Sequence, residues 1–378
     1  MQHLKPMDAV VALYSTGDQE LAEQIVASLS HAIFSGSEVR PAGNLKSALA
    51  GLSYRVMRWT TKTSTGKDES GTETTLFRNA LLERSGHPYA RSLLASSRQE
   101  TAALVEGGDP MNGPYMMIPP AIRKNGGRWD TLFFDSVQGR DVQSRIIWET
   151  HSTYQAAKRR LEQDAPVRLK AVAAGTGLSL ILVYDKLIRD GYDPHRITAS
   201  ITDRDEANMA KTNRLLGKLA TTRDRKFPKN GGHGISAEAE DIFRAPAADP
   251  NDSPAPYDVV TAIGIFEYFH GFSYATTEPP LHPGAITGPP SAQNLARRLA
   301  EISSDRASLI VNTYRGHAST RILELFGKKF VYRNRENLRA LLASADFSPA
   351  ELAGSGHIYD VEVYEKNLPP DPSDAPRL

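Results

Sequence analysis

The residues best placed to do chemistry begin where an apolar run meets glycine. Leu169-Lys-Ala-Val-Ala-Ala-Gly175-Thr176-Gly177-Leu-Ser-Leu180 reads as a strand, ending near Ala173, that turns on two glycines into a helix. Glycine lets the backbone approach a ligand closely, and the helix N-terminus offers free N–H groups and a positive dipole end, so a nucleotide-like ligand is the natural guest. Farther along, Asp203 ends the next predicted strand, where a carboxylate at the sheet's carboxyl edge can take both ribose hydroxyls. Asp241, followed by Ile242 and Phe243, would end a third strand and present polar and apolar faces that suit an adenine ring. Asp205 and Glu206 read instead as the N-cap and first-turn charge of the helix that follows. A nicotinamide dinucleotide also asks for Gly or Ala where Leu180 stands, so the site suits a ligand without a pyrophosphate, and NAD is disfavoured.

The elements that must position these residues follow from periodicity. From Val167 onward short apolar runs alternate with helical patterns, which argues for βαβ units and a mostly parallel sheet. The predicted strands are Leu169–Ala173, Ile197–Ile201, a short one near Glu240–Phe243, Val259–Ile263, Ser308–Asn312 and Ile358–Tyr364. Helices are predicted over Leu178–Asp190, Glu206–Leu219, Ala292–Ile302 and Asn337–Ala345. Upstream the texture is helical. Thr16-Gly-Asp-Gln19 resembles a capping box before an amphipathic run to Ile33, and Leu76–Glu83, Tyr89–Val105 and Asp141–Glu162 read as further helices. Trp59–Thr75 reads as a polar loop, and Tyr115-Met116-Met117 as a core-packing segment rather than a substrate cover. The organisation is therefore an N-terminal helical domain over 1–163, an α/β domain over 164–366 and a frayed Pro-rich tail over 367–378.

Composition excludes several classes of function. The chain has 378 residues, 40% of them hydrophobic, and carries 45 Lys+Arg against 44 Asp+Glu, so it has core material in plenty and no global field for nucleic acid or an anionic membrane. With no cysteine, disulfides, thiolate metal sites and thiol nucleophiles are ruled out. Gly66-Lys67 lacks the rest of a P-loop, no Gly-x-Ser-x-Gly elbow occurs, and His233 has no second ligand at metal-ligand spacing. His317 and His357 read as loop residues, and Lys328, Lys329, Arg333, Arg335 and Arg339 as a solvated basic face. The short apolar run Ala9–Tyr14 is neither a membrane span nor a signal peptide, and the chain reads as cytoplasmic.

Taken in order, Val172-Ala173-Ala174-Gly175-Thr176-Gly177, Ser200-Ile201-Thr202-Asp203, Glu240-Asp241-Ile242-Phe243 and Tyr257-Asp258-Val259-Val260-Thr261-Ala262-Ile263-Gly264 resemble the class I S-adenosylmethionine-dependent methyltransferase superfamily across about Val167 to Lys366. The resemblance implies a Rossmann-like sheet with an antiparallel last hairpin. S-adenosylmethionine (SAM) would lie across the carboxyl edges of its first four strands, against Ala173, Gly175, Gly177, Asp203, Asp241, Ile242 and Gly264. It places Ile265-Phe266-Glu267-Tyr268-Phe269-His270 beside the transferred group, with Glu267 or His270 as proton acceptor and Tyr268 as hydrogen-bonding partner of the acceptor molecule. No metal enters. The function so implied is methyl transfer to an O- or N-nucleophile of a small molecule of specialised metabolism, with the N-terminal helices covering the acceptor site or pairing two copies of the chain.

One departure from the superfamily pattern opens an alternative. Ala171 and Ala173 stand where an acidic residue usually precedes the glycine motif, and a long Pro-rich loop covers Thr276–Pro290. Differently held SAM would be attacked at another carbon, giving aminocarboxypropyl transfer or cyclisation with release of methylthioadenosine. A third reading is a non-catalytic scaffold that kept the fold.

Overall fold

The computed structural model describes residues 4–35, 43–62, 65–67, 73–75, 112–222, 234–243, 256–269, 291–325 and 330–367. At its centre a seven-stranded sheet is built from β3 (Val167–Val172), β4 (Ile197–Asp203), β5 (Gly234–Ala239), β6 (Tyr257–Ala262), β7 (Ser303–Asn312), β8 (Phe347–Ser355) and β9 (Asp360–Lys366). Their order is β5-β4-β3-β6-β7-β9-β8. The first five run parallel, while β9 is antiparallel to β7 and β8 antiparallel to β9. This is the alternating α/β sheet with a reversed last hairpin that the sequence led us to expect. Order along the sheet reverses between β3 and β6, so the crevice at the carboxyl ends of these strands is the switch point where such sheets take ligands.

Helices cover both faces. On one lie α1 (Pro6–Tyr14), α2 (Gln19–Phe34), α7 (Val137–Glu162), α8 (Leu178–Arg189) and α9 (Glu206–Thr222), whose apolar residues share one core with Leu169, Ala171, Ile197 and Ile201 of the sheet. The opposite face carries α10 (Ala292–Ile302) and α12 (Arg335–Ala343), packed with Val172, Val260, Leu309 and Tyr364. Because α7 ends at Glu162 and β3 starts at Val167 at the sheet's opposite edge, the N-terminal half of α7 lies beside the carboxyl ends of the strands. The remaining described elements are α3 (Asn44–Lys62), the β1/β2 hairpin (Thr65–Lys67 with Glu73–Thr75), α4 (Asn112–Met116), α5 (Pro120–Arg123), α6 (Arg128–Asp135) and α11 (Ala318–Leu325). No described helix is long and apolar enough to cross a membrane.

Several local expectations are corrected. The third parallel strand is Gly234–Ala239, and Glu240–Phe243 forms the turn after it. Among the described residues this strand pairs only with β4, and half of it is exposed; its sequence, GISAEA, lacks the apolar run that periodicity seeks. β8 escaped notice for the same reason: it is a largely exposed edge strand holding Pro349 beside a register shift, a placement open to proline only at edges and bulges. The last strand is displaced to Asp360–Lys366. Asp18, left-handed at φ 50°, precedes α2 without a side-chain cap, so Thr16 does not close a capping box. α3 runs through Trp59–Lys62, and the hairpin occupies part of the region read as a loop. Tyr115 and Met116 are buried, as expected, with the Tyr115 hydroxyl donating to Asp130 at 2.6 Å. The helices expected over Leu76–Glu83 and Tyr89–Val105, the loop Thr276–Pro290, and His233 lie outside the described residues.

Candidate active site

The glycine loop takes its shape from left-handed backbone. Ala173, Gly175 and Gly177 have φ of 50°, 57° and 60°. A Cβ on Gly177 would stand 2.3 Å from Ile201 Cγ2, so only glycine brings α8 this close to β4. Ala174 N–H donates to the Thr202 carbonyl at 3.0 Å, and Gly175 N–H to Asp203 Oδ2 at 2.7 Å. Asp203 Oδ1 accepts from Asp205 N–H at 2.9 Å. The Asn208 side chain also hydrogen-bonds this carboxylate, so of about four lone-pair sites roughly one stays open at the strand edge. Burial raises its pKa, and the backbone N–H groups of Asp205 and Gly175 act against that. Asp205 caps the next helix through Ala207 N–H at 2.8 Å, as read from the sequence.

Next to it, Glu240 N–H donates to the Asp203 carbonyl at 2.9 Å, which sets the turn carrying Asp241 beside the β4 end. Asp241 Oδ1 accepts from Phe243 N–H at 3.0 Å, and buried Ile242 is held by Arg298 Nε on its carbonyl at 3.1 Å. Across the switch point Gly264, at φ 75°, donates its N–H to Asn312 Oδ1 at 2.7 Å. The structure therefore brings Ala173, Gly175, Gly177, Asp203, Asp241, Ile242 and Gly264 to one edge of the sheet. Glu267 and Tyr268 follow Gly264 in a short turn; His270 lies outside the described residues.

Three side chains of α7 that the sequence reading passed over complete this edge. Asp141, Arg145 and Glu149 recur at helical spacing on its N-terminal half. Arg145 Nη1 stands 3.6 Å from Glu267 Oε1, and its guanidinium lies 4.5 Å over the Tyr359 ring. A Cβ on Gly264 would sit 3.4 Å from Arg145 Nη1, an ordinary contact, so it is the positive φ of 75° that calls for glycine here. Asp141 Oδ2 accepts from Ile358 N–H at 2.6 Å and so ties α7 to the β8–β9 turn. This charged stripe, set among apolar Val142, Ile146 and Ile147, was the available signal; it faces the sheet rather than solvent.

Burial raises the pKa of Glu267, with Arg145 opposing, and pushes that of Glu149 up to about 7, opposed by Arg145 and by Ser179 Oγ at 3.5 Å. An acid whose pKa is higher in the folded state contributes stability that is complete below its unfolded value and is lost as pH rises through the folded one. For Glu149 that window runs from the ordinary glutamate value of 4.5 to about 7. Glu149→Gln should match the wild-type melting temperature near pH 5 and exceed it by about 3 °C or more at pH 8. Parallel melting curves across pH would refute the assignment.

Of the basic run, Lys328 and Lys329 lie outside the described residues, and the three arginines do not form a solvated face. Arg335 and Arg339 pair with Asp360 and Glu362 of β9, while buried Arg333 donates Nη1 to the Phe266 carbonyl and Nη2 to that of Phe269. His317 and His357 lie in loops, as expected; His317 Nε2 is 2.8 Å from Ser47 Oγ of α3. Among the described residues no group of three or more metal-ligating side chains converges.

The architecture is that of a Rossmann-like doubly wound sheet with its polar residues gathered at the switch point. No protein-family model and no curated protein matches the sequence. Similar solved structures include a possible exported protein from Bordetella parapertussis (12% identity, 94% of this chain and 100% of that one, TM-score 0.48). They also include magnesium protoporphyrin IX methyltransferase from Synechocystis PCC 6803 with bound S-adenosylhomocysteine (SAH) (12%, 60% and 87%, TM-score 0.39) and the N-methyltransferase NodS from Bradyrhizobium japonicum WM9 (12%, 58% and 97%, TM-score 0.34).

Proposed function

We propose that this chain is a SAM-dependent methyltransferase acting on an O- or N-nucleophile of a small molecule of specialised metabolism. The observation that carries the reading is the junction of Gly175 and Asp203: a left-handed glycine loop hydrogen-bonded to the carboxylate of the next strand, at the switch point of the sheet. The residues present fit a nucleoside. Asp203 takes a ribose hydroxyl on the acceptor capacity left by Gly175, Asp205 and Asn208, Asp241 and Ile242 flank the base, and the 173–177 loop backs the amino-acid end. When bound, the sulfonium nucleotide supplies an electrophilic methyl group. The protein's share is orientation and exclusion of water, with Glu267 taking a proton from the acceptor and Tyr268 hydrogen-bonding it.

Isothermal titration with SAM, SAH and NAD tests this. SAM and SAH should bind and NAD should not. Asp203→Ala should weaken SAM about 30-fold, the order expected for loss of charge-assisted hydrogen bonds. Unchanged affinity would remove Asp203 from the site, and absence of binding by either sulfur nucleotide would leave the scaffold reading. Product analysis separates the chemistries: methyl transfer leaves SAH, whereas attack at another carbon leaves methylthioadenosine.

A further inference from the structure

Beside the nucleoside edge, a cluster of aromatic rings encloses polar atoms that the protein itself does not satisfy. Glu267 is 4% exposed, and its Oε2 is buried without a hydrogen-bond partner. The hydroxyl of Tyr314, 2% exposed at the end of β7, is likewise unpartnered. Around them Tyr314 stacks on Tyr332 with centroids 5.6 Å apart, and it meets Phe330 at 4.9 Å and Tyr359 at 5.3 Å; Tyr268 lies 5.8 Å from Phe330. Nearby cations do not fill the need. Arg145 approaches only the other oxygen of Glu267, at 3.6 Å, and Arg333 spends both terminal nitrogens on the carbonyls of Phe266 and Phe269.

Burying an unmet acceptor costs free energy that a protein retains only where something else repays it, and a buried carboxylate demands both a donor and positive charge. The chemistry of the missing group follows by comparison. A hydroxyl can donate to Glu267 Oε2 while accepting from Tyr314, but it brings no positive charge to a buried carboxylate. An anion would meet Glu267 and Glu149. An ammonium carries two or three N–H donors, compensates the buried carboxylate and is attracted by the faces of tyrosine rings. We propose that this cluster, between the N-terminal half of α7 and the ends of β6 and β7, binds a protonated amine with its N–H groups on Glu267 Oε2 and Tyr314 Oη. The proposal rests on the methyltransferase reading and narrows it: the acceptor nitrogen belongs to a small organic amine.

The test is calorimetric and independent of turnover. The full chain is titrated with phenethylamine, phenethyl alcohol and hydrocinnamate, which share a ring and differ at the polar end, and with butylamine, butanol and butyrate. In at least one series the amine should bind about tenfold more tightly than its alcohol and its acid. Glu267→Gln should erase that preference, and Tyr314→Phe should reduce amine affinity about threefold. An alcohol or acid that equals the amine, amines that do not bind, or a preference surviving in Glu267→Gln would overturn the proposal. The comparison of ligands on the wild-type chain decides the matter even if a variant fails to fold. SAH titrated in parallel separates the two claims: SAH binding without amine preference overturns the amine site alone, whereas amine preference without SAH binding overturns the nucleotide reading alone.

Discussion

Gly177→Ala should destabilise the protein by about 3 to 4 kcal/mol and abolish nucleotide binding at the sheet edge. Two costs add. The residue has φ +60°, a region where a side chain is strained, and the new Cβ would lie 2.3 Å from Ile201 Cγ2 and 2.8 Å from its Cδ1. Ile201 is fully buried in β4 and has no room to withdraw, so α8 must move away from the sheet. That movement opens the 173–177 loop, whose Gly175 N–H is held by Asp203. Gly191→Ala is the matching control, since its φ is +93° but nothing lies within 4 Å of the added carbon. It should cost only about 1 kcal/mol, the conformational part alone. Urea unfolding of the two variants, with SAM titration of each, checks the claim, and equal losses at both positions would show that the contact with Ile201 is unimportant.

Arg333→Met should cost about 3 kcal/mol, although it removes no residue from the nucleotide edge. The buried guanidinium donates to the carbonyls of Phe266 and Phe269, which bracket Glu267 in the chain, and the backbone of Arg333 exchanges hydrogen bonds with Tyr314 at 2.8 and 3.3 Å. Methionine fills similar space but donates nothing, leaving two buried carbonyls unmet. The turn that aims Glu267 then loses its clamp, and the amine preference should vanish with the stability. Arg333→Lys, with a single ammonium group, should fall between the two. Urea unfolding gives the first quantity and the amine titration the second; a Met variant within about 0.5 kcal/mol of wild type would mean that these bonds are dispensable.

The legible part of the molecule is the part whose residues answer to local rules. β3, β4, β6 and β7 lie in the sheet's interior, so their apolar runs are continuous and their places follow from periodicity. Gly175, Gly177 and Gly264 mark positive φ, and Asp203 marks a strand end; each signals its role within a few residues of itself. Edge strands carry no such mark. β5 and β8 each bury one side at most, and their sequences read as turn or coil until β4 or β9 is beside them.

By itself, then, the sequence determined the mostly parallel character of the sheet, the glycine turn at its edge and the absence of thiol chemistry. The tertiary structure decided which charged residues leave solvent. Asp141, Arg145 and Glu149 look like the polar face of an ordinary helix, and Arg333 like one charge in a basic run, because local pattern records spacing but not what packs against it. Only when α7 lies along the carboxyl ends of β6 and β7 does Arg145 meet Glu267 and the Tyr359 ring, and Asp141 the backbone of Ile358; Arg333 is buried separately, on the carbonyls of Phe266 and Phe269. Long-range packing sets their desolvation, and desolvation sets their chemistry.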